Sequence, residues 1–214
     1  MKKGKDGIYC RYIKRVVDII CALAALVVLS PVLLIVAILV RVKLGSPVIF
    51  KQERPGKDEQ IFTLHKFRTM TDAKDEEGNL LSDDVRLTRF GTKLRTTSLD
   101  ELPELWNILR GEMSVIGPRP LVVEYLPLYN EQQRRRHEVK PGLSCLASIN
   151  GRNDQSWEAR FDWDIKYIES ISFHLDWMII FKTIWVVIKR EGINAPGQAT
   201  MEAFSGNAGE GLPG

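Results

Sequence analysis

One long uncharged stretch stands out in the hydrophobic pattern of the chain. Residues 19–40 read IICALAALVVLSPVLLIVAILV and include no charged side chain. The stretch exceeds the roughly 20 apolar residues that one helix needs to cross the hydrocarbon layer of a membrane. Ser30 and Pro31 lie in its middle, where proline removes a backbone hydrogen bond and kinks a helix. The pattern therefore predicts a membrane helix that breaks at Ser30-Pro31.

Positive charges flank this stretch on both sides. Lys14 and Arg15 precede it, and Arg41 and Lys43 follow it. Orientation in a membrane follows the side with more Lys and Arg, and neither side prevails here. A helix that enters, bends at the break and leaves by the same face keeps both charged pairs in water. A kinked helix that crosses the membrane is the alternative, and the charge pattern leaves both open.

The rest of the chain shows short strand and helix patterns. Residues 47–50 and 60–64 have the apolar and β-branched content of strands, and residues 54–57, Arg-Pro-Gly-Lys, favour a hairpin turn between them. The spacing of apolar residues predicts helices over residues 85–95, 102–109, 120–137, 157–170 and 175–188. The predicted fold is therefore mostly α with a small β-hairpin.

The last predicted helix, residues 175–188, is apolar on nearly every side. It is too short to span a bilayer. It is either a buried core helix or a helix in the membrane interface, where Trp177 and Trp185 would be favoured. The pattern leaves both interpretations open.

Composition narrows the function classes. With 44% hydrophobic and 27% charged residues, the chain has the content of a folded protein rather than of a disordered one. Its net charge of +3 is too small to indicate nucleic-acid binding, no zinc-finger or RNP-type motif is present, and we expect no nucleic-acid partner. The three cysteines, Cys10, Cys21 and Cys145, lack metal-ligand spacing, which favours a reducing, cytosolic environment. No Walker sequence is present, and the one Gly-x-Gly-x-x-Gly match, residues 209–214, is not flanked by a predicted strand and helix, so the sequence does not support a dinucleotide or ATP site.

The densest group of chemically active residues is the acidic pair Asp100-Glu101, which follows Arg95. One interpretation is a capping box, in which Ser98 and Glu101 only satisfy backbone N–H groups at a helix start. Pro103 argues against it, because its missing N–H would then fall inside the helix. A helix that starts nearer Asp100 places Pro103 in the tolerated first turn. Both carboxylates would then lie at the positive end of the helix dipole, where phosphates bind readily.

Several cations suited to diphosphates accompany this pair. Lys66 and Arg68 follow the second predicted strand. Arg119 lies between two prolines, which restrict the backbone and pre-set the guanidinium for an anion. Arg152 and Asn153 lie in a further predicted turn. Each cation alone is typical of a solvated surface, but the acidic pair, the cations and a membrane anchor in one small chain favour catalysis on phosphates.

In combination these residues resemble a known family, the small monotopic phosphoglycosyl transferases, which are bacterial sugar transferases. The resemblance extends from Tyr12 to about Gly206. The motifs that carry it are Lys14-Arg15-x-x-Asp18, Ser30-Pro31, Arg54-Pro55-Gly56, Lys66-Phe67-Arg68-Thr69-Met70, Ser98-Leu99-Asp100-Glu101-Leu102-Pro103, Gly117-Pro118-Arg119-Pro120, Lys140-Pro141-Gly142 and Asn150-Gly151-Arg152-Asn153. The C-terminal sequence Gln198-Ala199-Thr200-Met201-Glu202-x-Phe204-x-Gly206 is most similar to enzymes that act on UDP-N,N'-diacetylbacillosamine.

The resemblance implies a specific architecture. Residues 1–43 would form a re-entrant membrane helix, broken at Ser30-Pro31, with its flank. Residues 44–206 would form a compact cytosolic catalytic domain with interfacial amphipathic helices, and residues 207–214 an irregular tail. The protein would be monotopic in the bacterial inner membrane, in contact with membrane lipids and with its catalytic domain facing the cytoplasm. The oligomeric state stays open, a homodimer included.

The resemblance also implies a reaction. A sugar 1-phosphate would pass from a UDP-sugar to undecaprenyl phosphate with release of UMP, as the first membrane step of glycan or glycoconjugate assembly. Asp100 would attack the sugar-bearing phosphorus and form an aspartyl-phosphosugar intermediate, assisted by Glu101, and Asp100 would also contact Mg²⁺. The substrate-binding residues would be Lys66, Arg68, Arg95, Arg119, Arg152, Asn153 and Asp176.

The chain departs from the family pattern in one turn. Cys145 stands where relatives commonly have glycine, and Ser148 stands where they have glutamine. The acidic pair is unaffected, so the departure bears on sugar choice and on the shape of that turn. Two other functions compete with the transferase: a membrane-anchored glycosyltransferase that transfers the sugar alone and releases UDP, and a non-catalytic membrane scaffold whose acidic pair only caps a helix.

Overall fold

The computed structural model describes residues 4–151, 155–189 and 203–206, and shows a mostly helical protein with two small sheets. The α-helices are α1 Lys14–Val28, α2 Ser30–Leu44, α3 Asp83–Arg86, α4 Arg89–Thr96, α5 Glu104–Arg110, α6 Glu131–Arg134, α7 Trp157–Ser170 and α8 Phe173–Lys189. The strands are β1 Ile49–Pro55, β2 Ile61–Phe67, β3 Ser114–Ile116 and β4 Gly142–Ser144. The predicted class, mostly α with a small β-hairpin, is confirmed. The predicted tail, residues 207–214, lies outside the described residues.

The N-terminal apolar stretch forms two helices with a sharp bend between them. α1 and α2 meet at Leu29, and the bend between the two helical arms is 64°. Pro31 lies in the first turn of α2, where its missing N–H breaks no helical hydrogen bond. The Ser30 hydroxyl donates to the Val27 carbonyl at 2.8 Å and so satisfies an acceptor at the end of α1. The predicted break at Ser30-Pro31 is therefore confirmed.

The bent pair presents an extensive apolar outer surface. Val27, Val28 and Val42 are 73%, 73% and 76% exposed. Among the described residues, no unbroken helix is both long and apolar enough to cross a membrane, and the two arms of the bent pair reach that length and apolarity only together. An exposed apolar surface of this extent is typical of contact with a membrane or with another protein.

The predicted hairpin is present and longer than its pattern suggested. β1 and β2 pair antiparallel, with Ile49 opposite Phe67 and Pro55 opposite Ile61. Arg54 and Pro55, which the pattern assigned to the turn, belong to the strand, and the turn follows at Lys57–Glu59. A two-stranded sheet tolerates a proline in this way because each strand has a free edge.

Two of the predicted helices are divided in the structure. A single helix over residues 120–137 is wrong: the segment forms a 3-10 helix at Val123–Leu128, then α6, then a 3-10 helix at Arg135–Glu138. Pro127 interrupts regular helix formation, and Asn130 starts a new helix through a capping box with Gln133. Residues 85–95 are divided in the same way, because the Thr88 side chain caps α4. The helix predicted over residues 157–170 is confirmed at both ends, and residues 175–188 lie within α8.

The pattern did not predict the second sheet. β3 and β4 pair in parallel, with Ser114 opposite Gly142 and Ile116 opposite Ser144. The two backbones come very close just beyond this pairing, since a Cβ atom on Gly142 would lie 2.0 Å from the backbone nitrogen of Gly117. Glycine is therefore required in the Lys140-Pro141-Gly142 motif for packing.

The hydrophobic core holds the acidic pair against β2. One cluster joins α1, β2 and α5 and consists of Ala22, Leu64, Leu105, Ile108 and Met113. A second cluster joins α2, β2 and α4 and consists of Val36, Val40, Phe67 and Leu94. Because α4 and α5 both pack on β2, the segment between them, which carries Asp100 and Glu101, is fixed beside this strand. A further cluster packs β3 against α7 and α8 through Ile116, Tyr167, Ile168 and Ile179.

Candidate active site

The acidic pair lies in a short 3-10 helix, Leu99–Glu101, that leads into α5. Ser98 precedes it in a left-handed conformation, with φ 54°, and its side chain forms no capping hydrogen bond in the described part of the chain. Pro103 occupies the N-cap position of α5, where no N–H is needed. The capping-box interpretation of Ser98 and Glu101 is therefore wrong, and the acidic pair does not serve as a helix cap.

Two cations hold the Glu101 carboxylate. Its Oε1 atom accepts a hydrogen bond from Lys66 Nζ at 2.8 Å and another from a guanidinium N–H of Arg119. Burial alone would raise the pKa of Glu101, but the positive charges of Arg119 and Lys66 outweigh it and hold this pKa well below its usual range. Glu101 is therefore a fixed anion, bridging β2 to the loop that carries Arg119.

The neighbouring carboxylate, Asp100, is in a different environment. It is 7% exposed, and no hydrogen bond to its carboxylate is found among the described residues. Burial and the negative charge of Glu101 raise the pKa of Asp100 to about 6, although Lys66, Arg119 and Arg95 oppose this. At neutral pH Asp100 is thus mostly ionised, more basic than an ordinary aspartate, and without a hydrogen-bond partner in the part of the chain that the structure describes. Adjacent carboxylates whose pKa values are pushed apart are typical of acid–base or nucleophilic sites.

A third carboxylate, Glu104, joins this group and was missed in the sequence. Lys66 Nζ lies 3.1 Å from Glu104 Oε1, so one ammonium serves both Glu101 and Glu104. Glu104 is 3% exposed, and burial, with the charge of Glu101 added, raises its pKa to about 7 although Lys66 lowers it. The signal was available, because a spacing of three residues places Glu101 and Glu104 on one helical face.

A cleft of about 270 Å³ opens beside Glu101, and Asp100 is not among the described residues that line it. Its polar lining includes Arg95, Ser98, Glu101 and Arg119, and its aromatic lining includes Trp157 and Phe161 of α7. The Arg119 side chain is 46% exposed, so an anion in the cleft can reach it while it holds Glu101. The volume lies near the lower end of the ~300–1,000 Å³ usual for small-molecule sites. The cleft can therefore accept part of a phosphorylated substrate next to Glu101.

The structure brings together five of the residues that the sequence analysis assigned to the site. Lys66 and Arg119 hold Glu101, and Arg95 and Arg119 line the cleft. Arg95 also donates through Nε to the Thr69 hydroxyl at 3.1 Å, and this bond fixes the orientation of the Arg95 side chain. Both carboxylates and these three cations form one charged group between β2, α4 and the Arg119 loop.

Arg68 and Asp176 have other surroundings. Arg68 is buried, donates to the carbonyls of Met70 and Ser46 at 2.8 Å each, and pairs with Asp72. Asp176 is 3% exposed and accepts hydrogen bonds from Lys14 at 2.6 Å, from Tyr9 at 2.8 Å and from Tyr167 at 2.7 Å. Neither residue lines the cleft. Arg152 and Asn153 lie outside the described residues, so substrate binding by these four stays a prediction.

The two departures from the family pattern lie in the cleft wall. The Ser148 hydroxyl donates to the Cys145 carbonyl at 2.8 Å, and the Ser148 N–H donates to Cys145 Sγ at 3.3 Å. Burial raises the pKa of the Cys145 thiol, so it stays protonated. Cys145 and Ser148 thus close one tight turn beside the site.

The donor set is compatible with a magnesium ion that a substrate helps to bind. No group of three or more His, Cys, Asp or Glu side chains placed to hold a metal is found within residues 4–151, 155–189 and 203–206. Mg²⁺ in phosphoryl-transfer enzymes is commonly held by one or two carboxylates, with water and substrate phosphates completing its shell. Asp100 offers a carboxylate of this kind, whereas Glu101 already accepts from two cations.

Comparison with known proteins identifies one family and several relatives. The profile of the family described as bacterial sugar transferase matches residues 9–190. The chain is 50% identical over 195 residues to an uncharacterized sugar transferase, EpsL, of Bacillus subtilis, a match that covers 91% of this chain and 96% of that protein. It is 40% identical to the exopolysaccharide production protein ExoY of Sinorhizobium fredii, over 84% of this chain and 87% of that protein.

A longer relative carries a more specific name. The chain is 41% identical to the UDP-glucose:undecaprenyl-phosphate glucose-1-phosphate transferase of Klebsiella pneumoniae over 80% of its own length. The match covers only 39% of that protein. The chain also spans 42% of a UDP-galactose-lipid carrier transferase of Erwinia amylovora.

Proposed function

Because the chain belongs to the bacterial sugar transferase family, we propose that it transfers a sugar 1-phosphate from a UDP-sugar to undecaprenyl phosphate. The name of the Klebsiella pneumoniae relative supports this class of donor and acceptor. The observation that carries the proposal is the acidic pair itself. Asp100 is a buried, mostly ionised carboxylate that accepts no hydrogen bond from the described residues, and the Glu101 carboxylate next to it is held by Lys66 and Arg119.

In the proposed first step, a carboxylate oxygen of Asp100 attacks the phosphorus that bears the sugar. The bond from this phosphorus to the bridging oxygen breaks, and UMP leaves with that oxygen and its electron pair. Asp100 becomes an aspartyl phosphosugar. A raised pKa favours Asp100 in this role because a more basic carboxylate is a better nucleophile, while a value of about 6 still lets it leave later.

In the proposed second step, a phosphate oxygen of undecaprenyl phosphate attacks the same phosphorus. The bond to Asp100 breaks, the carboxylate is regenerated, and the sugar leaves on a lipid diphosphate. Two steps suit a fixed site that serves a soluble donor and a lipid acceptor in turn, because the covalent intermediate holds the group between them. Glu101 assists by keeping Lys66 and Arg119 beside Asp100.

Charge neutralisation is the main task of the remaining groups. Phosphoryl transfer depends chiefly on alignment and on offsetting the negative charge of the phosphates. Lys66, Arg95 and Arg119 are the cations that the structure holds next to the acidic pair. Asp100 would be the residue that holds Mg²⁺ together with the donor phosphates, and the chemistry that the ion would supply is neutralisation of phosphate charge.

We also propose that α1 and α2 enter one leaflet of the bacterial inner membrane and return to the cytoplasmic face. Each arm has 15 residues, about 22 Å, which is shorter than the ~30 Å hydrocarbon layer. With a bend of 64°, arms inclined equally to the surface would place Leu29 roughly 12 Å below their ends. Arg41 and Lys43 at the end of α2 are exposed, as cations at a membrane surface would be. This geometry supports a re-entrant arrangement, whereas the proposal that the catalytic groups face the cytoplasm rests on the family resemblance.

The test is nucleotide release from a panel of UDP-sugars, the diacetamido-bacillosamine donor included, with Mg²⁺ and undecaprenyl phosphate. We expect the wild type to release UMP from at least one donor and Asp100→Asn to release none. Release of UDP would instead indicate transfer of the sugar alone. A folded, membrane-bound protein that releases no nucleotide from any donor would favour a scaffold.

A further inference from the structure

The loop that carries Arg119 is held through its carbonyl groups. In Gly117-Pro118-Arg119-Pro120 both prolines lack an N–H donor, so acceptors must fix most of the loop. The Pro118 carbonyl accepts from the Gly142 N–H at 2.9 Å. The Arg119 carbonyl accepts from the Arg136 guanidinium at 2.7 Å, and the Pro120 carbonyl accepts a long bond of 3.5 Å from Arg54. Of the two side-chain donors, Arg136 makes the closer contact, and it acts on the residue that holds Glu101.

Arg136 is itself fixed by a buried carboxylate. Its Nε and one terminal nitrogen donate to Asp164 Oδ2 at 3.1 and 2.8 Å, and its other terminal nitrogen donates to the Tyr129 hydroxyl at 3.1 Å. Arg136 and Asp164 are each 4% exposed. A buried ion pair is weak evidence for stability, because apolar residues of similar volume often do as well. Stability alone therefore does not explain why Arg136 and Asp164 form a buried ion pair.

We infer that Arg136, oriented by Asp164, is a positioning residue that holds Arg119 in place for the transfer reaction. The inference rests on the proposed function. The same terminal nitrogen of Arg136 donates to both Asp164 and the Arg119 carbonyl. Asp164 of α7 therefore orients the group that holds the Arg119 backbone. The Arg119 side chain then holds the Glu101 carboxylate. The chain of contacts runs from Asp164 through Arg136 and Arg119 to Glu101.

Direct binding of substrate phosphate by Arg136 is the competing role, since Arg136 also lines the cleft. Arginine has five N–H donors in a fixed fork. The hydrogen bonds to Asp164, Tyr129 and the Arg119 carbonyl engage all three nitrogens of Arg136 and leave little donor capacity. Arg119, in contrast, keeps a partly exposed guanidinium. The geometry thus assigns substrate contact to Arg119 and positioning to Arg136.

The test replaces the pair as a unit, with Arg136→Met and Asp164→Leu combined, so that no buried charge is left unpaired. The matched control is Arg135→Met with Glu169→Leu, which removes a more exposed ion pair from the adjacent residue and the same helix. UMP release is measured for both, and for each combined with Arg119→Ala. We expect kcat/KM to fall on the order of 10²-fold in the Arg136/Asp164 variant, as for a displaced catalytic group, and to stay near the wild-type value in the control.

The decisive result is non-additivity with Arg119. If Arg136 acts through Arg119, its replacement should reduce kcat/KM little further once Arg119→Ala is present. Effects that multiply, or a fully active Arg136/Asp164 variant, would overturn the inference. If that variant does not melt cooperatively, Arg136→Lys replaces it, because lysine keeps the buried charge pair but lacks the forked guanidinium. Arg136→Lys is then measured alone and combined with Arg119→Ala, and the same outcomes decide. A wild type that releases no UMP would overturn the proposed reaction, and this inference with it.

Discussion

Two buried ionic clusters in this protein differ in how fully their carboxylates are satisfied. At the junction of the N-terminal helices with α8, both oxygens of Asp176 accept hydrogen bonds, from Lys14, Tyr9 and Tyr167. At the acidic pair, Glu101 is satisfied by two cations, whereas Asp100 has no hydrogen-bond partner among the described residues.

The difference indicates different purposes. A buried carboxylate with every oxygen paired joins elements of the fold, and breaking it leaves an uncompensated charge. A buried carboxylate without partners costs stability unless a ligand, a metal ion or a reacting atom completes it. The Asp176 cluster therefore has the character of an anchor, and Asp100 that of a reactive group. Three substitutions would test this comparison, and a fourth tests the bend between the N-terminal helices.

The largest effect is expected for Asp100→Asn. Loss of the nucleophile should lower UMP release by roughly 10⁴-fold or more. The pKa of Asp100 is raised to about 6 in the folded protein, so its ionised form is disfavoured by folding at pH 7, and the amide should raise the free energy of unfolding by up to ~3 kcal/mol. Nucleotide release and thermal melting check both parts, with the exposed Asp84→Asn as control. An active or clearly destabilised Asp100→Asn protein would contradict the comparison.

The reverse outcome is expected for Asp176→Asn. The substitution leaves the buried Lys14 ammonium without its counter-charge, which should cost about 3–5 kcal/mol of stability. UMP release per folded molecule should change little. Denaturant titration in detergent and kinetics on the folded fraction are the measurements, and Asp162→Asn on the exposed side of α7 is the control. A fall in kcat/KM with unchanged stability would instead favour the substrate-binding role predicted from the family resemblance.

A change in pH dependence is expected for Glu101→Gln. Transfer requires ionised Asp100, so kcat/KM should fall as the pH drops through about 6. The negative charge of Glu101 raises the pKa of Asp100, so its removal should move this acid limb to lower pH. The rate at the plateau should fall on the order of 10²-fold because Lys66 and Arg119 lose the negative charge that they share. A pH series of UMP release checks this, with Glu131→Gln as control; an unmoved limb would argue against Asp100 as the titrating group.

The smallest effect is expected for Ser30→Ala at the bend. The hydroxyl satisfies the Val27 carbonyl, and its loss should cost about 1 kcal/mol. Ser170→Ala in α7 is a matched control, because Ser170 also donates back to a helical carbonyl, that of Lys166, and both serines are exposed on the protein surface. If the bend lies in lipid, Ser30→Ala should be the more destabilising in bilayer-mimicking detergent. Equal costs would argue against insertion.

Local features of the fold were predictable because they depend on a few consecutive residues. Pro31 interrupts the apolar stretch whatever the tertiary fold, because its ring and its missing N–H belong to its covalent structure. α7 begins and ends where the pattern placed it, with Ser156 accepting the Ala159 N–H as its cap. The single helix predicted over residues 120–137 was wrong for a local reason as well, because Pro127 and Asn130 outweigh the helical spacing of the apolar residues.

The candidate site was predictable in its members but not in their arrangement. Asp100, Glu101 and the cations around them could be chosen from the sequence by charge, by proline context and by resemblance to a family. Glu104 and Arg136 were missed. The spacing of Glu104 from Glu101 was a signal, but a glutamate early in a helix and an arginine in a basic run are also ordinary surface features in sequence. Their importance depends on burial, at 3% and 4% exposure, which distant segments impose.

By itself, therefore, the sequence determined the broken apolar helix, the hairpin, helices α7 and α8 and the acidic pair, since short-range sterics and periodicity suffice for these. Only the tertiary structure decided that Lys66, 35 residues before Glu101, bridges it to Glu104, and that Asp176 pairs with Lys14, 162 residues away. It also decided that β4 pairs with β3 and so places Arg119 over the acidic pair. These contacts form because the packing of α4 and α5 on β2, and of α7 and α8 on β3, brings distant charges into a shared low-dielectric interior.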